Sequence, residues 1–395
     1  MIPSLPVEAG PGLKGRGFAL LIAATAIGLC GFAAVLPLVP LWAIRGGAGE
    51  FGAGSTTAAF MLTTVLTQLA MPRLLERGGY RWAFPVGSLI MGLPAPLFAL
   101  TTDLGVLIAI SAVRGVGFGM VSVAGTALAA RLVPPGQVGR ATGYYGLAVG
   151  LPQVLILPGG VALALNIGFT AVFWITGLCS LAGAVLAVGI WFADGGRNRP
   201  LLRAARDTGT VPTERVSLAA PLILMLLTAS SAGAIVTFVA VPLEGTPWLV
   251  GAALAAYAAM VVIGRWSAGL LYDRHHRTLL LLPGMIAAVC GTALVTAGLW
   301  GDGTHVLVLV GAGLFGIGFG AVQNEAVTLM LNRAGPTGQG RASAVWNIGY
   351  DAGAGAGAMA VGLLIQLWGY GPAFAVTVIA LAAVLPLARA RVSTP

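Results

Sequence analysis

The sequence predicts an all-α polytopic membrane protein of twelve spanning helices in two related six-helix halves. Three observations carry that prediction. Twelve apolar stretches approach the roughly 20 residues that a helix needs to cross about 30 Å of hydrocarbon. Nearly all Lys and Arg residues fall on one face of the resulting map, and three sequence matches recur in the same order in both halves. With 58% hydrophobic and 8% charged residues, the chain has lipid as its main solvent, because no soluble fold could hide so much apolar surface.

The stretches run 17–44, 52–71, 83–101, 105–130, 141–164, 168–192, 217–241, 248–271, 278–300, 305–331, 342–367 and 371–388. They are long and uniformly apolar, which excludes the short alternating strands of a barrel and leaves helices, whose backbone groups are satisfied internally. The first stretch is too long for a signal-peptide core, so it is expected to be retained. The 59 glycines and 23 prolines point to closely packed, bent helices, as both residues are commoner in spanning helices than in soluble ones. Cys30, Cys179 and Cys290 fall inside spans with no CxxC pair, so neither a disulfide nor a metal cluster is expected. Between the sixth and seventh spans, residues 193–216 form a polar stretch with Arg197, Arg199, Arg203, Arg206 and Arg215, read as a cytoplasmic linker between bundles 1–192 and 217–395.

Short cytoplasmic loops retain positive charge. Of the 21 Lys and Arg residues, eighteen lie on one face, only Arg45 lies opposite, and Arg114 and Arg265 sit within helices. Both termini are therefore expected to be cytoplasmic, in a bacterial inner membrane. The net charge of +9 is inside-facing charge rather than a nucleic-acid footprint.

Arg114-Gly-Val-Gly-Phe-Gly119 in helix 4 aligns with Phe315-Gly-Ile-Gly-Phe-Gly320 in helix 10 at an offset of 201 residues. Gly139-Arg140-Ala141 aligns with Gly340-Arg341-Ala342 at that same offset, and Glu76-Arg77 with Asp273-Arg274 at 197. Repeated halves of this kind are a common way to build transporters.

After helix 8 the chain reads Gly269-Leu-Leu-Tyr-Asp273-Arg274-His-His-Arg277, and after helix 2 Pro72-Arg-Leu-Leu-Glu76-Arg77-Gly-Gly79-Tyr-Arg81. These resemble the Gly-x-x-x-Asp-Arg-x-Gly-Arg-Arg signature of the major facilitator superfamily, with Pro72 replacing the leading glycine of the first copy. The resemblance implies twelve helices in two six-helix bundles, a substrate site between the halves near the midplane, and transport by alternating access. It also implies that Glu76, Arg77, Arg81, Gly269, Asp273 and Arg274 latch the outward-facing state, a carboxylate docking on a neighbouring helix N-terminus whose dipole favours negative charge. Arg114 followed by glycines, together with Gly146-Leu-Ala-Val-Gly150-Leu-Pro152 and Pro158-Gly159-Gly160, is similar to the proton-coupled efflux branch, with altered spacing in helix 5. Small residues at such spacing are also common helix-packing features.

Charged residues inside a span cost at least about 2.5 to 3.5 kcal/mol at the helix centre, so each needs a reason. Arg114, Arg265, Glu325 and Asp351 are the four. At 1.5 Å per residue, Arg265 and Glu325 lie about 12 Å from the cytoplasmic helix ends, and Asp351 about 15 Å. Two readings stand: Glu325 or Asp351 binds and releases a proton under the influence of Arg265, or the three form a permanent buried ion pair. Arg114 has no acid inside its own half, which calls for a solute-borne counter-charge or carbonyl ligation. Gln153, Gln323, Asn324, Trp346, Asn347 and Tyr350 are the polar candidates for a solute cavity, each amide being equally suited to a helix–helix hydrogen bond.

His275, His276 and His305 form no metal pattern, and no phosphate-binding GxxxxGK[ST] sequence exists. No nucleophile–base–orienter set supports a membrane-embedded enzyme, and the loops are too short for a receptor scaffold. The sequence therefore predicts a secondary transporter rather than an enzyme, most consistent with proton-coupled export of a small amphiphilic solute, with proton-coupled uptake as the alternative. The expected partners are that solute, protons and the bilayer; no cofactor, metal or nucleic acid is expected, and the chain is expected to be a monomer.

Overall fold

A computed structural model describes residues 12–78, 80–134, 137–193, 218–300 and 304–389; the side chains of 75–81, 138–139 and 336–340 are outside the description. The predicted linker and both termini thus lie outside the described residues. The helices are α1 Arg16–Arg45, α2 Glu50–Gly78, α3 Tyr80–Gly92, α4 Leu104–Arg131, α5 Val138–Ile167, α6 Phe169–Ala193, α7 Ala219–Phe238, α8 Pro247–His275, α9 Leu281–Gly298, α10 Val306–Gly335, α11 Arg341–Trp368 and α12 Tyr370–Ala383. Short pieces follow or precede them: 3-10 turns at Gly12–Lys14 and Ala95–Leu100, and a terminal α13 at Leu385–Arg389. No strand occurs among the described residues. Eleven of the spans are long and apolar enough to cross a membrane; α2, the twelfth long helix, is less so.

The exception has a cause. α2 carries a run of hydroxyls that return to the helix backbone, Ser55 to Phe51 O, Thr56 to Ala53 O, Thr63 to Ala59 O and Thr64 to Phe60 O. This polar helix is kept from lipid on one side by packing on α4 and on α11 of the other half. Two further differences from the predicted spans follow from proline and glycine. The third span breaks after Gly92 into a 3-10 turn, since Pro94 and Pro96 remove backbone donors. The expected loop between the tenth and eleventh spans is instead helical across its length, interrupted only at Gly335, whose φ of +63° suits glycine.

The sequence repeat is a packing repeat. In α4, Gly115 and Gly119 bring that helix against the carbonyls of Phe60 and Thr64 in α2, while the intervening Gly117 meets Gly87 and Met91 of α3. In α10, Gly316 and Gly320 meet the carbonyls of Tyr257 and Val261 in α8, and Gly318 meets Gly284 and Ala288 of α9. Alternate glycines therefore serve two neighbours on opposite sides of one helix, in both halves. The single-residue turns from α5 to α6 and α11 to α12 are likewise equivalent: Gly168 and Gly369 have φ of +98° and +83°.

The halves meet through α2 with α11, α5 with α8, and α1 with α7. Their polar links among the described residues are concentrated at the end away from the arginines. There Arg45 pairs with Glu244 and lies over the Phe169 ring, Tyr370 donates to Glu50, Gln366 accepts from the Phe51 N–H, and Thr57 meets Thr237. Toward the Arg-rich end α5 is exposed on several sides. In α5, residues 142–144 and 146–147 are exposed, and added side-chain atoms at Gly143, Gly146 and Gly150 would meet nothing. Among the described residues the polar closure between the halves thus lies at the Arg45–Glu244 end, and α5 is exposed at the other, open end.

Candidate functional site

The polar link between halves nearest the open end is that of Gln68 and Asp351. Gln68 Nε2 in α2 donates to Asp351 Oδ2 in α11 at 2.7 Å and lies 3.3 Å from Ser122 Oγ in α4. Both residues stand about 15 Å from the Arg-rich ends of their helices. Asp351 is 5% exposed, and Gln68 Oε1 is buried with no donor opposite it. An unpaired buried amide oxygen is costly, so this contact is one donor short.

The other transmembrane charges are placed apart. Glu325 is buried and accepts from the Leu280 N–H, at the first residue before α9, at 3.3 Å. There it satisfies one of the orphan donors of a helix start and complements its dipole. Arg265 of α8 is exposed, within electrostatic range of Tyr350, and makes no ion pair among the described residues. The ion pair read from the sequence among Arg265, Glu325 and Asp351 is therefore absent in this conformation, because Glu325 is turned toward α9 and Asp351 toward α2. Arg114, in α4, is 2% exposed; its Nε donates to Met91 O at 2.8 Å and its guanidinium lies 5.5 Å from the Phe98 ring centre.

Around this frame the second half presents an aromatic column. Tyr257 of α8 stacks near Phe315 of α10, Phe315 on Phe319, Phe319 on Tyr350 of α11, and Tyr350 beside Trp346, with ring centres 5.6–6.2 Å apart. Gln323 lies one turn along from Phe319 on the same face and is buried. The first half supplies a second aromatic cluster, Phe32, Phe60 and Phe118. Gln153 is half-buried in α5. The remaining amides turn elsewhere: Asn347 donates to Ser343 O of its own helix, and Asn324 packs near Gly269 and accepts from Thr328.

Of the latch residues, Asp273 and Arg274 are exposed and have no salt bridge across the halves among the described residues. The side chains of Glu76, Arg77 and Arg81 lie outside the described residues. Gln68 and the Tyr257, Phe315 and Phe319 members of the aromatic column were missed from the sequence, which named Trp346 and Tyr350. The signal for Gln68 was there: it is the one amide in the second span, a polar group in hydrocarbon like the charges beside it.

The fold accords with comparisons to known proteins. The sequence model of the Major Facilitator Superfamily matches residues 20–357. A chloramphenicol resistance protein of Streptomyces lividans is 30% identical over 351 residues, covering 83% of this chain and 85% of that one. Among solved structures, the nucleoside transporter NupG superposes with a TM-score of 0.70 at 11% identity, over 95% of this chain and 99% of the other. A bacterial homologue of the human lysosomal transporter Spinster, inward-facing and unoccupied, gives 0.71 at 15% identity, over 95% and 97%. At such identities the two structures speak for the fold alone, whereas the sequence match across most of the length decides the family: the chain belongs to the Major Facilitator Superfamily, as a multi-pass membrane transporter.

Proposed function

We propose that the protein is a proton-coupled exporter of a small amphiphilic solute, working by alternating access in a bacterial inner membrane with both termini in the cytoplasm. On that orientation, which rests on the one-sided arginines, the conformation described is inward-facing. The observation that carries the coupling is the Gln68–Asp351 contact. A carboxylate only accepts hydrogen bonds, whereas a carboxylic acid also donates. A proton on Asp351 would give Gln68 Oε1 the donor it lacks, so occupancy of a residue in one half is read by a residue in the other. Glu325 holds α9 in this reading, and Arg265 with Tyr350 modulates the cavity wall.

Solute binding falls to the half-buried rings of Tyr350 and Trp346, with Gln153 offering hydrogen bonds and the buried Phe319 and Gln323 backing that wall; such a mixture suits an amphiphile. Glu76, Arg77, Arg81, Gly269, Asp273 and Arg274 would close the cytoplasmic end in the opposite state. Export rather than uptake is supported by the glycine-rich helix 4 and by the resistance protein among the relatives, which makes chloramphenicol the first solute to test.

Reconstitution into liposomes tests the proposal. A pH gradient should drive saturable chloramphenicol flux that a protonophore abolishes. Saturable flux indifferent to the gradient would refute the coupling. Covalent change of the solute, or no saturable flux of any solute that stabilises the protein in a thermal-shift screen, would refute the transport reading.

A further inference from the structure

Arg114 is a buried cation without a counter-ion among the described residues. Its Nε is held by Met91 O at 2.8 Å, but Nη2 is buried and faces no acceptor. The acids described in its own half are committed elsewhere: Asp103 Oδ1 caps the Val106 N–H at the start of α4, and Glu50 accepts from Tyr370. Arginine keeps its charge on burial, and an unpaired buried charge is strongly unfavourable. The side chain also lines a cavity of about 20 Å³, bounded by Phe32, Val35, Thr57, Phe60 and Ser111 among others. That volume admits a water molecule or a small ion.

We infer that Arg114 is the base of a monovalent-anion site, filled by the carboxylate of a transported amphiphile or by a free chloride. Water in the cavity would leave the guanidinium charge uncompensated, whereas an anion beside it compensates that charge. Thr57, on the cavity wall, also meets Thr237 of the other half, so the tail of such a solute would lie along the path between the halves. The solute arm of this inference rests on the transport reading; the chloride arm does not.

Thermal unfolding of the purified full chain in nanodiscs, in a buffer whose only anion is a bulky sulfonate, separates the outcomes. The probes are chloride, phenylbutanoate and its neutral counterpart phenylbutanamide. The wild type should be stabilised saturably by both anions, with half-saturation at least about tenfold lower for phenylbutanoate than for the amide, and chloride should compete with phenylbutanoate. Arg114→Gln should lose the anion response while keeping any response to the amide. Stabilisation by chloride alone would leave the anion site standing and overturn the solute arm. Equal responses of wild type and Arg114→Gln, or no preference of the wild type for anions over the amide, would overturn the site; the wild-type preference decides by itself if the variant does not fold. An anion response in a protein that moves no solute would separate failure of the transport reading from failure of this one.

Discussion

Gln68 Nε2 donates to Asp351 Oδ2 at 2.7 Å, tying the most polar helix of one half to the midplane carboxylate of the other. Every other polar link between the halves among the described residues lies nearer the closed end. The contact therefore sits where the seal gives way to the opening, which is where a proton could bias the two states.

Asp351→Asn should abolish dependence on the pH gradient, because asparagine both donates and accepts at any pH and mimics the protonated acid. Gradient-driven flux is expected to fall by about tenfold or more, with solute affinity changed little. Gln68→Leu should weaken coupling in the same direction. Transport and equilibrium binding measured side by side check both variants; retained coupling in Asp351→Asn contradicts the assignment.

Glu325 is expected to behave differently. Glu325→Ala removes the acceptor at the start of α9 and should cost about 1–3 kcal/mol, read as a lower unfolding temperature, while Glu325→Gln keeps an acceptor and most of the stability. The pH profile of transport should stay that of the wild type in Glu325→Gln. A shifted profile would return Glu325 to the proton path.

The glycine repeat makes a paired prediction. Alanine at Gly115 or Gly316 would drive a methyl group into the Phe60 or Tyr257 carbonyl, an overpacking worth about 1–3 kcal/mol of stability. Gly143→Ala meets open space and should leave stability within about 0.5 kcal/mol. Thermal unfolding of the three variants checks the contrast.

Arg45 and Glu244 join the halves at the closed mouth, both about a third or more exposed. An exposed pair contributes about 0.2–1 kcal/mol. Glu244→Gln should therefore shift the conformers toward opening at that mouth by a factor of about 1.5 to 5, visible as faster labelling of a cysteine placed at Thr57.

The helix count, the two halves and the glycine equivalences were legible because hydrophobic length and close approach leave marks in single residues. Gly115 and Gly316 could be paired by spacing alone. The side-chain site was not, because depth along a helix says nothing of direction around it. Arg265 and Glu325 share a depth, yet Glu325 turns to α9 and Arg265 stands exposed within range of Tyr350. Asp351 found its partner in α2, across the interface, which no reading confined to the second half could supply. Gln68 itself was passed over because it is neutral. The third span and the α10–α11 connection departed from expectation at Pro94 and Gly335, where the chain's local chemistry overrides the apolar pattern.

The most direct test of the central claim is the distance between spin labels at Gly143 of α5 and His275 of α8, both at the Arg-rich end, measured against pH in a background lacking the three native cysteines. If a proton on Asp351 completes the contact with Gln68, acid pH should populate the long distance of the conformation described here and alkaline pH a shorter one, with Asp351→Asn fixed at the long distance throughout. A distance distribution that ignores pH in the wild type, or one that follows pH equally in Asp351→Asn, would contradict it.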